Sequence, residues 1–235
     1  MKAAILAAGQ GERLKAQGAS VPKPLLRVGT LPLIEHALNS ARAAGCSEVA
    51  CIINQESAAV ETHCREHVAD LSLEFLHRTT PSSMESLFAL APLLGEAQPF
   101  LLLTVDAIIA PGAVCDFVRR ADARARADGV LAVTRFVDDE KPLRVETSPD
   151  GRITTIGGSA AGPLVTAGFY VFRPAIFAEI PAARDAGLTA LRQFLAHLVA
   201  RGYALFAELV PKCVDVDRPE DVAAAEAFLR SGYRA

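Results

Sequence analysis

Residues Ala3-Ala4-Ile5-Leu6-Ala7-Ala8 form an unbroken apolar run that stops at Gly9. A run this short, with no polar alternation, reads as a strand covered on both faces, the setting that a parallel sheet flanked by helices provides. The segments that follow alternate as such a sheet requires. Helix is predicted over Pro32 to Ala44, where Leu33, Ile34, Ala37, Leu38 and Ala41 recur at helical spacing and Gly45 acts as the stop. Strand Glu48 to Asn54, helix Ala58 to Ala69, strand Leu73 to His77, helix Ser83 to Leu94 and strand Pro99 to Val105 come next. Helix Pro111 to Asp128 and strand Val130 to Arg135 complete this half. Strands separated by helices imply right-handed crossovers and an α/β, doubly wound, mostly parallel sheet.

The periodicity then changes. Leu143 to Thr147 and Arg152 to Ile156 flank Ser148-Pro149-Asp150-Gly151, which is turn chemistry, so a hairpin and antiparallel additions are expected in the second half. Strand Val165 to Phe172, helix Leu188 to Arg201, strand Ala204 to Leu209 and a closing helix Pro219 to Leu229 follow. With 235 residues, 51% of them hydrophobic, and no repeat or linker, the chain reads as one domain, 1–235.

Charge and cysteine usage exclude several classes. The 24 Lys plus Arg against 27 Asp plus Glu leave a net charge of -3, so no basic excess draws the chain to nucleic acid or an anionic membrane. The five cysteines (46, 51, 64, 115 and 213) are odd in number and form no CxxC pair, which reads as reduced, mostly buried thiols rather than a disulfide or zinc framework. The opening apolar run is too short for a signal-peptide core and no later run reaches spanning length. A cytoplasmic protein, monomer or homo-oligomer, is the expectation.

The stretch richest in chemistry is Leu6-Ala7-Ala8-Gly9-Gln10-Gly11-Glu12-Arg13-Leu14, followed by Val21-Pro22-Lys23-Pro24-Leu25-Leu26. Glycines just after a buried strand let backbone N–H groups approach a polyphosphate, because no Cβ intervenes. Arg13 adds a forked cation for phosphate oxygens, and Lys23, held between prolines, is a point charge at a fixed place. A Rossmann fingerprint would need glycine where Leu14 stands, and a P-loop would end in Gly-Lys-Ser/Thr, which is absent.

This run resembles the signature of the sugar-phosphate nucleotidyltransferase superfamily, and the continuation Gly29-Thr30-Leu31-Pro32-Leu33-Ile34 is similar to that family's segment after the lysine. The resemblance implies a Rossmann-like, nucleotidyltransferase (GT-A-like) fold with the nucleotide over the carboxyl ends of the strands. It implies a nucleoside triphosphate and a small phosphorylated substrate as partners, with Leu6, Ala7, Ala8, Gly9, Gly11, Arg13 and Lys23 on the nucleotide.

Attack on a triphosphate calls for a divalent ion, and Mg²⁺ takes a few carboxylate oxygens while keeping some of its waters. Asp106 ends the apolar strand Phe100 to Val105 and matches the family's metal-binding aspartate. Cys213-Val214-Asp215-Val216-Asp217-Arg218-Pro219-Glu220-Asp221 resembles the family's segment before the last helix, with Asp215 as the second ligand and Asp217 as the alternative. Asp217 also reads as an N-cap for that helix.

Other positions follow from the resemblance. Ser83 and Ser86 stand where the family contacts the base, although Ser83 equally suits a helix N-cap. Gly168 stands on the family's substrate-side strand, where a bulge or close packing would also demand glycine. Lys141 and Arg144 are candidates for the acceptor phosphate. His63 and His67 lack the glutamate of the zinc-protease motif and read as surface histidines. Two departures point away from a standard hexose phosphate: Ile156-Gly157-Gly158-Ser159 replaces a Glu-Lys-Pro segment, and Lys212-Cys213 replaces an aromatic residue. The implied reaction is in-line attack of the acceptor phosphate on the α-phosphorus, assisted by Lys23, Arg13 and Asp106, and catalysed by positioning and electrostatics. A molybdopterin-guanine type transferase and a catalytically silent nucleotide sensor are the alternatives.

Overall fold

The computed structural model describes residues 1–9, 21–136, 142–158 and 160–231. Strand β1 (Lys2–Ala7) shows why the opening run has no polar alternation. Its odd residues Ala3, Ile5 and Ala7 enter one hydrophobic core, and its even residues Ala4 and Leu6, with Ala8 beyond the strand, enter another on the opposite face. Side chains alternate across a strand, so a sheet with helices on both faces buries both sets.

Beyond Gly9 come a 3-10 turn at Lys23–Leu25, the short pair β2 (Arg27–Val28) and β3 (Leu31–Pro32), and helix α1 (Leu33–Ala43). Then follow β4 (Glu48–Ile53), α2 (Ala58–His67), β5 (Ser72–His77), α3 (Ser83–Leu94) and β6 (Phe100–Thr104). The next elements are β7 (Ala107–Ile109), α4 (Ala113–Asp122), β8 (Gly129–Thr134), β9 (Arg144–Thr147), β10 (Ile153–Ile156) and β11 (Leu164–Phe172). The chain continues through a 3-10 turn at Pro174–Glu179 and α5 (Ile180–Asp185). It reaches α6 (Leu191–Ala200), β12 (Leu205–Leu209), β13 (Cys213–Asp215) and α7 (Pro219–Arg230).

Among the described residues nine strands form the main sheet. The strands β6, β1, β4 and β5 are parallel neighbours, while β11 runs antiparallel to β6, β8 and β9, and β9 pairs with β10 as the expected hairpin. The α/β, mostly parallel sheet with antiparallel additions in the second half is therefore present. One core packs α1, α2 and α4 on the sheet through Leu38, Val60 and Phe117, and the other packs α3 and α6 through Leu87, Phe88 and Phe194. No helix among the described residues is long and apolar enough to cross a membrane.

Several expectations are corrected. The helix predicted over Pro111 to Asp128 ends at Asp122, because Asp128 and Gly129 both bond Ala204 O as β8 begins. A Cβ on Gly129 would lie 2.5 Å from the Phe172 ring, so the chain enters β8 through a glycine. The segment after β11 holds a 3-10 turn and α5 where no element was predicted, and α3 is capped by Ser82, whose Oγ accepts from Glu85 N at 3.3 Å, not by Ser83. His63 is half-buried and paired with Glu35 at 2.7 Å, so it is more than a surface histidine. None of the five cysteines is in a disulfide, and three are buried.

Candidate active site

The site is assembled at the carboxyl end of the parallel strands. Lys23 opens its 3-10 turn between Pro22 and the buried Pro24, with Leu25 N bonded to Pro22 O at 2.8 Å. Two prolines limit the backbone here, so the long lysine side chain starts from a fixed point. Its Nζ donates to Asp106 Oδ2 at 2.8 Å and to Asp217 Oδ1 at 2.7 Å.

Asp106 stands between β6 and β7, and a second small sheet brings the other acids to it. The strands β7 and β13 pair antiparallel with Asp215 opposite Ala107, and Val216 N donates to Asp106 O at 3.0 Å. Asp217 N and Arg218 N then both donate to Asp221 Oδ2, at 2.9 and 2.8 Å. Asp221 thereby closes the first turn of α7, whose N-cap is Arg218, and Asp217 is not the cap. The Asp217 side chain is turned toward Lys23 instead.

Burial works against charge on Lys23, whose side chain is 10% exposed, but Asp106 and then Asp217 outweigh it and raise its pKa above the ordinary lysine value. Burial also works against ionisation of Asp106, yet Lys23 and a hydrogen bond from Thr104 hold its carboxyl below the usual range. The two shifts agree in describing a fully charged pair.

Two cavities adjoin at this cluster. One, of about 540 Å³, is lined by Leu6, Ala8, Gly9, Lys23, Ser83 and Ser86. The other, of about 400 Å³, is lined by Thr166, Gly168, Tyr170, Asp215, Arg192 and Arg218. Asp106, Asp217, Thr104 and Ser83 face both.

The expected residues are distributed unevenly between the two. Ala7 belongs to the core on the opposite face, so its side chain does not line either cavity. Ser86 is buried, with Oγ 2.5 Å from Thr80 Oγ1, while Ser83 is exposed. Gly168 sits at a break in the β11–β8 register with φ of +79°, and a Cβ there would lie 3.0 Å from both Ala107 Cβ and Thr104 Oγ1. Arg144 donates to Gly162 O at 3.0 Å and does not line either cavity, against expectation. Gly11, Arg13 and Lys141 lie outside the described residues.

The cleft also contains residues that the sequence did not single out. Thr104 is two positions before Asp106 and so on the same side of the strand, a signal that period-2 spacing carries. Tyr170 lies in the Gly168 strand, where burial pushes its phenol up to about 12 against a hydrogen bond from Thr166. Arg192 and Arg218 had no readable signal of their own. Among the described residues no three His, Cys, Asp or Glu side chains form a metal cage. Mg²⁺ does not require one, since one or two carboxylates plus waters and phosphate oxygens suffice.

A family model described as "MobA-like NTP transferase domain" matches residues 3–202. The chain belongs to this family. The matched range contains Lys23 and Asp106 and ends before Asp215 and Asp217. A curated relative, the mannose-1-phosphate guanylyltransferase catalytic subunit beta of Drosophila pseudoobscura pseudoobscura, is 25% identical over 99% of this chain, which spans 63% of that relative's length. Among solved structures, the inositol-1-phosphate CTP transferase from T. maritima superposes with a TM-score of 0.82 at 19% identity, covering 100% of this chain and 98% of that one. A UDP-glucose pyrophosphorylase complexed with UDP-glucose gives 0.78 at 17% identity, covering 99% of each chain. At these identities the structural matches establish the fold, a nucleotidyltransferase fold of the GT-A-like kind.

Proposed function

We propose that this chain, as a single domain over 1–235, transfers a nucleoside monophosphate from a nucleoside triphosphate to a small phosphorylated acceptor and releases pyrophosphate. The observation that carries the reading is the position of Lys23: it is held by Asp106 and Asp217 where two cavities meet. A two-substrate transfer needs such a place, with the reacting phosphorus between donor and acceptor pockets and a fixed cation beside it.

In this reading the triphosphate occupies the larger cavity, where the β1 end and Gly9 bring backbone N–H groups to phosphate oxygens. Arg13 and Gly11 are assigned to the same phosphates on the sequence resemblance. Ser83 and Ser86 stand beside the base. The acceptor occupies the smaller cavity, against Gly168 and the hydroxyls of Thr166 and Tyr170, a wall suited to a sugar or polyol phosphate. An oxygen of the acceptor phosphate, already ionised, attacks the α-phosphorus in line, so no strong general base is needed. Lys23 bridges the two phosphates as charge shifts between them.

Asp106 and Asp215 would hold Mg²⁺, which supplies charge neutralisation on the triphosphate. Their hard oxygen donors fit that ion, and both line the cavity beside Lys23. Cysteines without disulfides, three of the five buried, fit a reducing cytoplasm.

The test is pyrophosphate release with Mg²⁺, using CTP, UTP, dTTP, GTP and ATP against mannose 1-phosphate, glucose 1-phosphate, inositol 1-phosphate and phosphocholine. Release that requires one triphosphate and one acceptor together supports the reading. Silence across the panel despite triphosphate binding turns the reading toward a sensor. Gly-x-Gly-x-Arg with Pro-Lys-Pro fits a molybdopterin-guanine type transfer as well, and turnover only with an added pterin phosphate selects that acceptor.

A further inference from the structure

On the transfer reading above, the acceptor brings a phosphate, close to dianionic at neutral pH, into a cavity whose wall carries Asp106, Asp215, Asp217 and Asp221. Like charges oppose entry unless cations answer them. Lys23 answers two of them, Asp106 and Asp217, from where the cavities meet, and the cationic side chains among the described residues that line this cavity are Arg192 and Arg218. Arg144, an earlier candidate, is turned to the Gly162 carbonyl.

Position separates the two arginines. Arg192 lies in the first turn of α6 and is exposed. Arg218 directly follows Asp217, whose carboxylate bonds Lys23, and its backbone is pinned by the bond from Arg218 N to Asp221 Oδ2. Consecutive Cα atoms are about 3.8 Å apart, so Arg218 starts within one residue of the reacting centre. Its Nη1 lies 3.9 Å from Glu220 Oε1, on the same turn of α7.

We infer that Arg218 is the binding residue for the acceptor's phosphate, fixing it beside Lys23 through the forked hydrogen bonds that a guanidinium offers phosphate oxygens. Arg218 supplies positive charge to this cavity from the start of α7. Asp221, by accepting both backbone N–H groups, is a positioning residue for Arg218 and Asp217.

Wild type, Arg218→Gln, Arg218→Lys and Arg192→Gln are compared by pyrophosphate release with the pair that supports turnover. Loss of a charge-assisted hydrogen bond corresponds to about 1.5–3 kcal/mol, or roughly a 10- to 100-fold rise in acceptor KM for Arg218→Gln. The triphosphate KM stays within about twofold, Arg218→Lys recovers part of the loss because it keeps the charge without the fork, and Arg192→Gln changes acceptor KM by less than about threefold. An unchanged acceptor KM in Arg218→Gln, an equal rise in both KM values, or a larger effect from Arg192→Gln overturns the assignment. If wild type turns over no pair, the transfer reading itself fails. Arg218 is then judged by calorimetric titration of mannose 1-phosphate, inositol 1-phosphate and phosphocholine. Binding to wild type that Arg218→Gln abolishes supports the site, while no binding, or binding equal in both, overturns it. Circular dichroism on each variant separates a binding loss from a folding loss.

Discussion

Gly9 and Gly168 line the two cavities of one cleft, and they are glycines for different physical reasons. At Gly9 a Cβ would meet nothing within 4 Å among the described residues, and the backbone does not lie in the left-handed region. At Gly168 the backbone has φ of +79° and a Cβ would press on Ala107 and Thr104 at 3.0 Å. The packing of the described residues thus leaves Gly9 unexplained and accounts fully for Gly168. The same contrast runs through the two sides: the first cavity is built at the ends of the parallel strands β1 and β6, and the second on antiparallel strands and a small sheet.

The strongest way to break this comparison is to remove the ion pair at which the two sides meet. Lys23→Ala and Asp106→Ala are each expected to lower kcat for pyrophosphate release by on the order of 10²-fold or more with the far-UV dichroism unchanged. Near-normal turnover in either variant removes that residue from the site. The pair also predicts a pH signature. Asp106 is depressed below an unfolded value of about 3.9, so its contribution is present above that pH and lost as pH falls through the folded value. Lys23 is raised above about 10.4, so its contribution is present below that pH and lost as pH rises through the folded value. The stability gap between wild type and Lys23→Ala should therefore be flat around neutrality and close in acid, as read by urea unfolding at several pH values.

Next in size is Gly168→Ala. Strain in the left-handed region plus the close contacts should cost about 1–3 kcal/mol, seen as a lower urea midpoint. An unaltered midpoint would mean that β11 relaxes and that Gly168 serves the acceptor alone. Gly9→Ala sharpens the contrast from the other side: its urea midpoint should stay within about 0.5 kcal/mol of wild type while triphosphate KM rises roughly tenfold. If stability falls and KM does not, Gly9 is a folding glycine and the comparison collapses. The smallest effect is expected from Asp221→Ala, about 1 kcal/mol from the loss of the bonds that start α7, with a modest rise in acceptor KM as Arg218 loosens. A change confined to triphosphate KM would contradict its place on the acceptor side.

The sequence by itself determined the parallel half of the sheet, the end of β1 at Gly9, and the carboxylate at the end of β6. These follow from local patterns: an unbroken apolar run reports burial on both faces, and a polar residue after it reports the sheet's mouth. The hairpin around Pro149-Asp150-Gly151 was legible for the same reason, since turn chemistry is local. Tertiary structure alone decided which aspartate meets Lys23. Asp217 lies 194 positions from Lys23 and reaches it only because β13 pairs with β7, two three-residue strands too short to announce themselves by periodicity. It also decided that Arg144 turns away, that Arg218 faces the cleft, and that Gly168 is held at a bulge. A side chain's direction at the end of an element depends on partners far along the chain, and no window of sequence contains them.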